Sequence, residues 1–286
     1  MPCLSPDLPW SAELGVGVWY CCAMRSLVLA GVLALMPVAA SAEQLLKLAS
    51  RPGVELRVLT DRPAGAPRGA VILLAGGDGV LSLDDGGQLG AIMGNHVIRT
   101  RALYARAGHA WFAPDIASDL KTHRGYRLST EHARDLAAVV KAARAVGGPV
   151  VAIGTSRGAL SVASLLVKQT EALPDAAVIS SGVLMADRDR NGFAASAAGD
   201  LGRVRAPVLL LRHSGEACSA TPASDADRFK ALLSGSPRVD IVTFDGGQPR
   251  GANADPCGPW HYHGFPGIEA EVVTRTVEWI AANVRR

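Results

Sequence analysis

The pentapeptide Gly154-Thr155-Ser156-Arg157-Gly158 is the stretch whose residue types and setting could do chemistry. A serine hydroxyl attacks a carbonyl carbon only when an imidazole takes its proton and a carboxylate orients that imidazole. The setting carries more weight than the string. Pro149-Val150-Val151-Ala152-Ile153 before it is an apolar, β-branched run that predicts a buried strand, and Ala159 to Lys168 after it predicts a mostly apolar helix. A strand–turn–helix junction puts the serine on a tight turn, where Gly154 and Gly158 remove the Cβ clashes other residues would make. The hydroxyl then stands at a helix N-terminus, whose free N–H groups favour an oxyanion. The competing reading is a glycine-rich turn with an incidental serine.

Partners for the serine must come from other strand ends, since active groups in such sheets gather at the carboxyl ends of strands. After the strand Pro207–Arg212 comes His213-Ser214-Gly215-Glu216-Ala217-Cys218. After Arg238–Phe244 a long loop holds Pro259-Trp260-His261-Tyr262-His263-Gly264-Phe265. His261 and His263 lie two apart on an extended loop and would face opposite ways, so only one can address Ser156. Glu216 competes with Asp225 and Asp227, which suit the first turn of the following helix, and with the more distant Asp187 and Asp189. His96, His109, His123, His132 and His213 read as structural or solvated.

The elements that must position these groups alternate strand and helix, the signature of a largely parallel sheet covered on both faces. Val54–Leu59 alternates apolar and polar and predicts an edge strand. Ala70–Ala75 predicts a buried strand running into Gly76-Gly77-Asp78-Gly79. Helical spacing follows over His96–Ala107, then a short strand at Ala110–Ala113. Ser129 offers an N-cap for a helix to about Ala145, which Gly147-Gly148-Pro149 ends. Beyond the serine helix come strands at Ala176–Ser180, Pro207–Arg212 and Arg238–Phe244, with helices over Asp225–Leu233 and Ile268–Val284. Residues 183–206 leave no room for a helical cap domain.

The N-terminus predicts a leader. Met24-Arg25 precedes the apolar run Ser26–Ala39, which ends at Ala40-Ser41-Ala42. A basic start, an apolar core and an A-x-A end make a secretory signal over 24–42, with Met24 the expected start and an uncleaved anchor the competing reading. Residues 1–42 are thus set apart, and 43–286, about 244 residues, are expected to form one domain exported to the periplasm or beyond. No cysteine sits at the boundary, so no lipid anchor is expected. Cys3, Cys21 and Cys22 fall in the removed part. Cys218 and Cys257 remain, an even pair in an exported protein, which predicts a disulfide over two buried thiols. The whole chain has 29 basic and 26 acidic residues, and loss of Asp7, Glu13 and Arg25 leaves 28 against 24. The basic residues are scattered, so nucleic-acid binding has no support.

The serine elbow, the order Ser…acid…His and the strand/helix alternation resemble the α/β-hydrolase fold across essentially the whole mature chain. The chain is similar, more closely, to a group of exported bacterial α/β hydrolases. Those carry a glycine-rich turn after an early strand, an acid two residues before a cysteine, and a second cysteine ahead of a His-Gly-aromatic motif. Here these are Ala75-Gly76-Gly77-Asp78-Gly79, Glu216-Ala217-Cys218, Cys257, and His263-Gly264-Phe265. The group's acid is usually aspartate, and this chain has glutamate. The resemblance implies Ser156 as nucleophile, His263 as general base and then acid, and Glu216 as the orienting carboxylate. It implies an oxyanion hole from the backbone N–H of Arg157 and one from Gly77 or Asp78. A Cys218–Cys257 bond would then tie the acid loop to the histidine loop.

The resulting expectation is an ester or amide hydrolase working through an acyl-Ser156 intermediate on a small-molecule ester or short peptide, without cofactor. A dipeptidyl or prolyl-type serine peptidase is the alternative enzyme, and a non-catalytic hydrolase-fold binding protein the alternative class. No metal is expected: there is no H-E-x-x-H, and His261, His263 and Cys257 lack the close spacing zinc favours. Gly76-Gly77-Asp78-Gly79 lacks both the G-x-G-x-x-G spacing and a Walker lysine, so nucleotide binding is weakly supported.

Overall fold

A computed structural model describes residues 43–188 and 192–284. The expected leader, residues 1–42, and Asp189 lie outside the described residues. In chain order the elements are β1 (Gln44–Arg51), β2 (Val54–Asp61), β3 (Gly69–Leu74), α1 (His96–Arg99), α2 (Arg101–Arg106), β4 (His109–Pro114) and α3 (Thr130–Arg144). Then follow β5 (Val150–Thr155), α4 (Gly158–Lys168), β6 (Ala176–Ser180), β7 (Val208–His213), α5 (Asp225–Leu232), β8 (Val239–Phe244) and α6 (Glu269–Asn283).

The strands form one open sheet in the order β1-β2-β4-β3-β5-β6-β7-β8. From β4 through β8 every pairing is parallel, while β1 and β2 add an antiparallel margin. Parallel strands covered on both faces need apolar residues at every position, and β3 and β5 are buried along their whole length. Successive residues serve opposite cores. Ala70, Ile72 and Leu74 face a layer with Val139, Val140 and Val162 of α3 and α4. Val71 and Leu73 face Val97, Val273 and Ile280 of α1 and α6.

Two expectations need correction. Val54–Leu59 is not the edge: β1 pairs outside it, Leu46 opposite Val58 and Leu48 opposite Leu56. The adjacent leucines at 45 and 46 spoil the period-two pattern that would have marked β1 as a strand. The helix expected over His96–Ala107 is two short ones that break at Thr100, whose hydroxyl donates back to the His96 carbonyl at 2.7 Å. The Ser129 N-cap is made, its Oγ accepting the His132 N–H at 3.1 Å.

Candidate active site

Ser156 sits between β5 and α4 with φ +53, in the left-handed region that side chains rarely adopt. Holding a non-glycine residue there costs on the order of 1–3 kcal/mol, so the surroundings must enforce it. They do so by hydrogen bonds and by closeness. The Ser156 N–H donates to the Ser180 carbonyl at 3.0 Å, and the Ser156 carbonyl accepts the N–H groups of Ala159 and Val183, each at 3.1 Å. A Cβ on Gly154 would lie 2.7 Å from the Gly158 backbone, and one on Gly158 would lie 2.2 Å from the Leu74 carbonyl oxygen. Only glycine fits at either end of the elbow.

The other candidate groups stand on the loops after β7 and β8. Glu216 Oε2 accepts from His263 Nδ1 at 3.0 Å, both side chains almost fully buried. The second oxygen, Oε1, accepts the Cys218 N–H at 2.9 Å. Burial by itself would push the Glu216 carboxyl up, but the His263 hydrogen bond and charge, with the Cys218 N–H, hold it below the usual carboxylate range. Thr221 Oγ1 also lies 3.1 Å from His263 Nδ1. Since Nδ1 faces the carboxylate, it carries the proton and Nε2 is left as the acceptor. Nε2 is buried without a hydrogen-bond partner among the described residues, and His263 and Ser156 both line one cavity of about 200 Å³. The Ser156 hydroxyl makes no hydrogen bond among the described residues.

The histidine loop is pinned from the opposite side of that cavity. A Cβ on Gly264 would lie 2.1 Å from the Pro259 carbonyl oxygen, which explains glycine after the histidine. The Gly264 carbonyl accepts from His96 Nδ1 at 3.1 Å and from the Arg99 guanidinium, itself paired with Glu269 at 3.1 Å. Burial holds the His96 pKa down at about 3, so the ring stays neutral and donates through Nδ1–H. Cys218 and Cys257 form a disulfide whose Cα atoms lie 4.6 Å apart. Cys257 also walls the cavity.

Gly76 and Gly77 close over the serine; a Cβ on Gly76 would come within 2.8 Å of Ser156 Cβ. Gly77 lines the cavity, whereas Asp78 lines the neighbouring cleft. This turn is held from behind by Arg127, a residue no local pattern marks. Its buried guanidinium donates to the Ala75 carbonyl at 2.9 Å, more weakly to those of Gly76 and Gly77 at 3.4 Å, and to Ser161 Oγ at 2.8 Å. A trans peptide points its C=O and N–H in opposite directions, so carbonyls turned toward Arg127 turn the N–H groups of Gly77 and Asp78 away from it.

The rival candidates lie elsewhere. His261 packs edge-on against Tyr262 and touches no carboxylate among the described residues. His213 is occupied by the Gly246 carbonyl and the Gly215 N–H. Asp227 pairs with Arg212, and Asp187 and Asp225 with Arg228. Arg99, Arg127 and Thr221 escaped the sequence reading because each acts through a contact distant in sequence, while His96, expected to be structural or solvated, is structural.

No protein-family model and no curated protein matches the sequence. Solved structures do. An esterase from Pyrococcus furiosus superposes with TM-score 0.60 at 13% identity, covering 86% of this chain and 92% of its own. A cold-adapted esterase from an Arctic intertidal metagenomic library gives 0.56 at 13%, covering 86% and 96%. The acylaminoacyl peptidase of Pyrococcus horikoshii gives 0.57 at 12%, covering 86% of this chain but 42% of its own. With the open, mostly parallel sheet and the serine elbow, these likenesses identify the chain as a protein of the α/β-hydrolase fold.

Proposed function

We propose that the protein is a serine hydrolase cleaving carboxylic esters through an acyl-Ser156 intermediate. One observation carries the reading. A buried imidazole braced by a carboxylate at Nδ1, its Nε2 unpartnered among the described residues, lines the same small cavity as a serine held at φ +53. A polar atom buried without a partner is costly, and a proton acceptor kept that way on the wall of the cavity that also holds a serine is what acyl transfer uses. In this mechanism Ser156 Oγ bonds to the ester carbon while its proton passes to His263 Nε2. The carbonyl oxygen becomes an oxyanion facing the N–H groups of Arg157 and Gly77. The C–O bond to the alcohol then breaks, and His263 returns the proton to the leaving oxygen. Water repeats the sequence to release the acid. Glu216 keeps Nδ1 protonated and stabilises the imidazolium.

The disulfide and the signal-like leader together support export. Among the described residues no helix is long and apolar enough to cross a membrane. The reading is tested with a fluorophosphonate probe and short-chain p-nitrophenyl esters, with aminoacyl nitroanilides as the peptidase arm. Ser156→Ala is expected to lose labelling and turnover with its melting temperature nearly unchanged. Retained turnover in that variant refutes the nucleophile.

A further inference from the structure

Beyond the Gly76–Gly79 turn lies a second cleft of about 260 Å³, which shares Gly77 with the cavity over Ser156. Its charge is unusual for a protein with nearly balanced charges. Lys121, Arg124, Arg127 and Arg157 line it against a single acid, Asp78, and that carboxylate caps the Val80 N–H. Arg124 and Arg157 make no ion pair or side-chain hydrogen bond among the described residues. Among the described residues Lys121 reaches only to Asp115, at 3.7 Å. Arg127 is the telling member. Its guanidinium is buried, bonded to carbonyls and one hydroxyl, and has no carboxylate within ion-pairing distance among the described residues. A buried cation without a counter-ion is expensive, and an anion in the adjoining cleft would relieve that cost. Three further cations around one mouth focus the same field.

Resting on Ser156 as the nucleophile, we infer that this cleft receives a carboxylate borne by the acyl part of the substrate, so that the enzyme prefers half-esters of dicarboxylic acids. The side follows from the tetrahedral intermediate. The alcohol must leave from where His263 can protonate it, and His263 with Pro259 and Cys257 lines the cavity, not the cleft. The oxyanion faces Arg157 and Gly77. What remains to extend past those donors, away from the histidine, is the acyl chain. The bonds made and broken are those of ordinary ester hydrolysis, and the products are an alcohol and a free dicarboxylate.

The experiment compares kcat/KM for mono-p-nitrophenyl adipate with that for its methyl ester, which differs only in lacking the charge. At low ionic strength the charged ester is expected to be favoured by about tenfold, and the preference to shrink as salt screens the cleft. In a Lys121→Gln/Arg124→Gln variant the ratio is expected to fall to near parity. If the methyl ester is turned over and Ser156 takes the fluorophosphonate label, yet the unaltered protein shows no preference for the charged ester, the cleft's role is overturned and the hydrolase stands. A preference seen only when the carboxylate is on the alcohol, with p-butyryloxybenzoate against its methyl ester, overturns the acyl-side assignment. Failure to hydrolyse either adipate together with no label overturns the hydrolase reading itself, and this inference with it.

Discussion

Removing the Cys218–Cys257 bond tests how the acid and histidine loops are held together. The bond closes a loop of 39 residues in sequence separation. In the chain-entropy model that closure is worth about 4 kcal/mol at room temperature, most of it through restriction of the unfolded chain. For a domain of this size the loss corresponds to a fall in melting temperature of roughly 8–16 °C. The bond also touches the site at both ends: the Cys218 N–H holds Glu216 Oε1, and Cys257 walls the cavity over Ser156. A Cys218→Ala/Cys257→Ser variant keeps that backbone N–H but frees the loop that carries it. If the freed carboxylate wanders by about an ångström from His263, kcat is expected to fall by on the order of tenfold to a hundredfold. The measurements are urea unfolding and p-nitrophenyl ester turnover for the oxidised protein and the variant. A stability difference under about 1 kcal/mol would refute the loop-closure argument. A full stability loss with kcat unchanged would refute the coupling to Glu216.

Two further perturbations follow from buried polar groups. Arg127→Met keeps the stem but removes the guanidinium from the Ala75 and Gly77 carbonyls and leaves that of Gly76 with the Gly79 N–H at 3.0 Å; losing one oriented oxyanion N–H costs about 3 kcal/mol, so kcat should drop about a hundredfold with KM changed only a few-fold. An unaltered kcat, or a loss confined to KM, sinks the positioning role. His96 and His132 are both buried with pKa held down at about 3, mainly by desolvation, so the unfolded chain takes up protons that the native state refuses. Their stabilising effect is complete above about pH 6.5 and fades toward pH 3, with a loss of about 4 kcal/mol for the pair by pH 5. In His132→Gln the slope of unfolding free energy against pH should ease by about 1.4 kcal/mol per unit across that window, and an unchanged slope contradicts the assignment.

What the sequence made legible was local. The β5–α4 junction could be read because a β-branched run, two glycines and an apolar helix are neighbours in the chain. The sheet's parallel body could be read because strands buried on both faces carry continuous apolar runs. Arg127 could not, since nothing around Tyr126-Arg127-Leu128 reveals that its guanidinium reaches back across the fold to carbonyls some fifty residues earlier. The choice between His261 and His263 turned on which ring finds a carboxylate, a fact that depends on where the β7 loop lies. β1 was missed because paired leucines hid its alternation.

The length of the Glu216 side chain is accommodated by what surrounds it. A longer acid has one more torsion to fix before its carboxylate can orient an imidazole, and each unfixed torsion lets the histidine drift. Here the extra reach is folded back: Oε1 accepts the N–H two residues on, leaving Oε2 for His263. That N–H belongs to Cys218, whose sulfur is bonded to the loop leading into His263. The carboxylate is therefore tied to the histidine loop twice, once by its own hydrogen bond and once through the disulfide. Glutamate and disulfide act as one device, with the cross-link removing the freedom that the additional methylene brings.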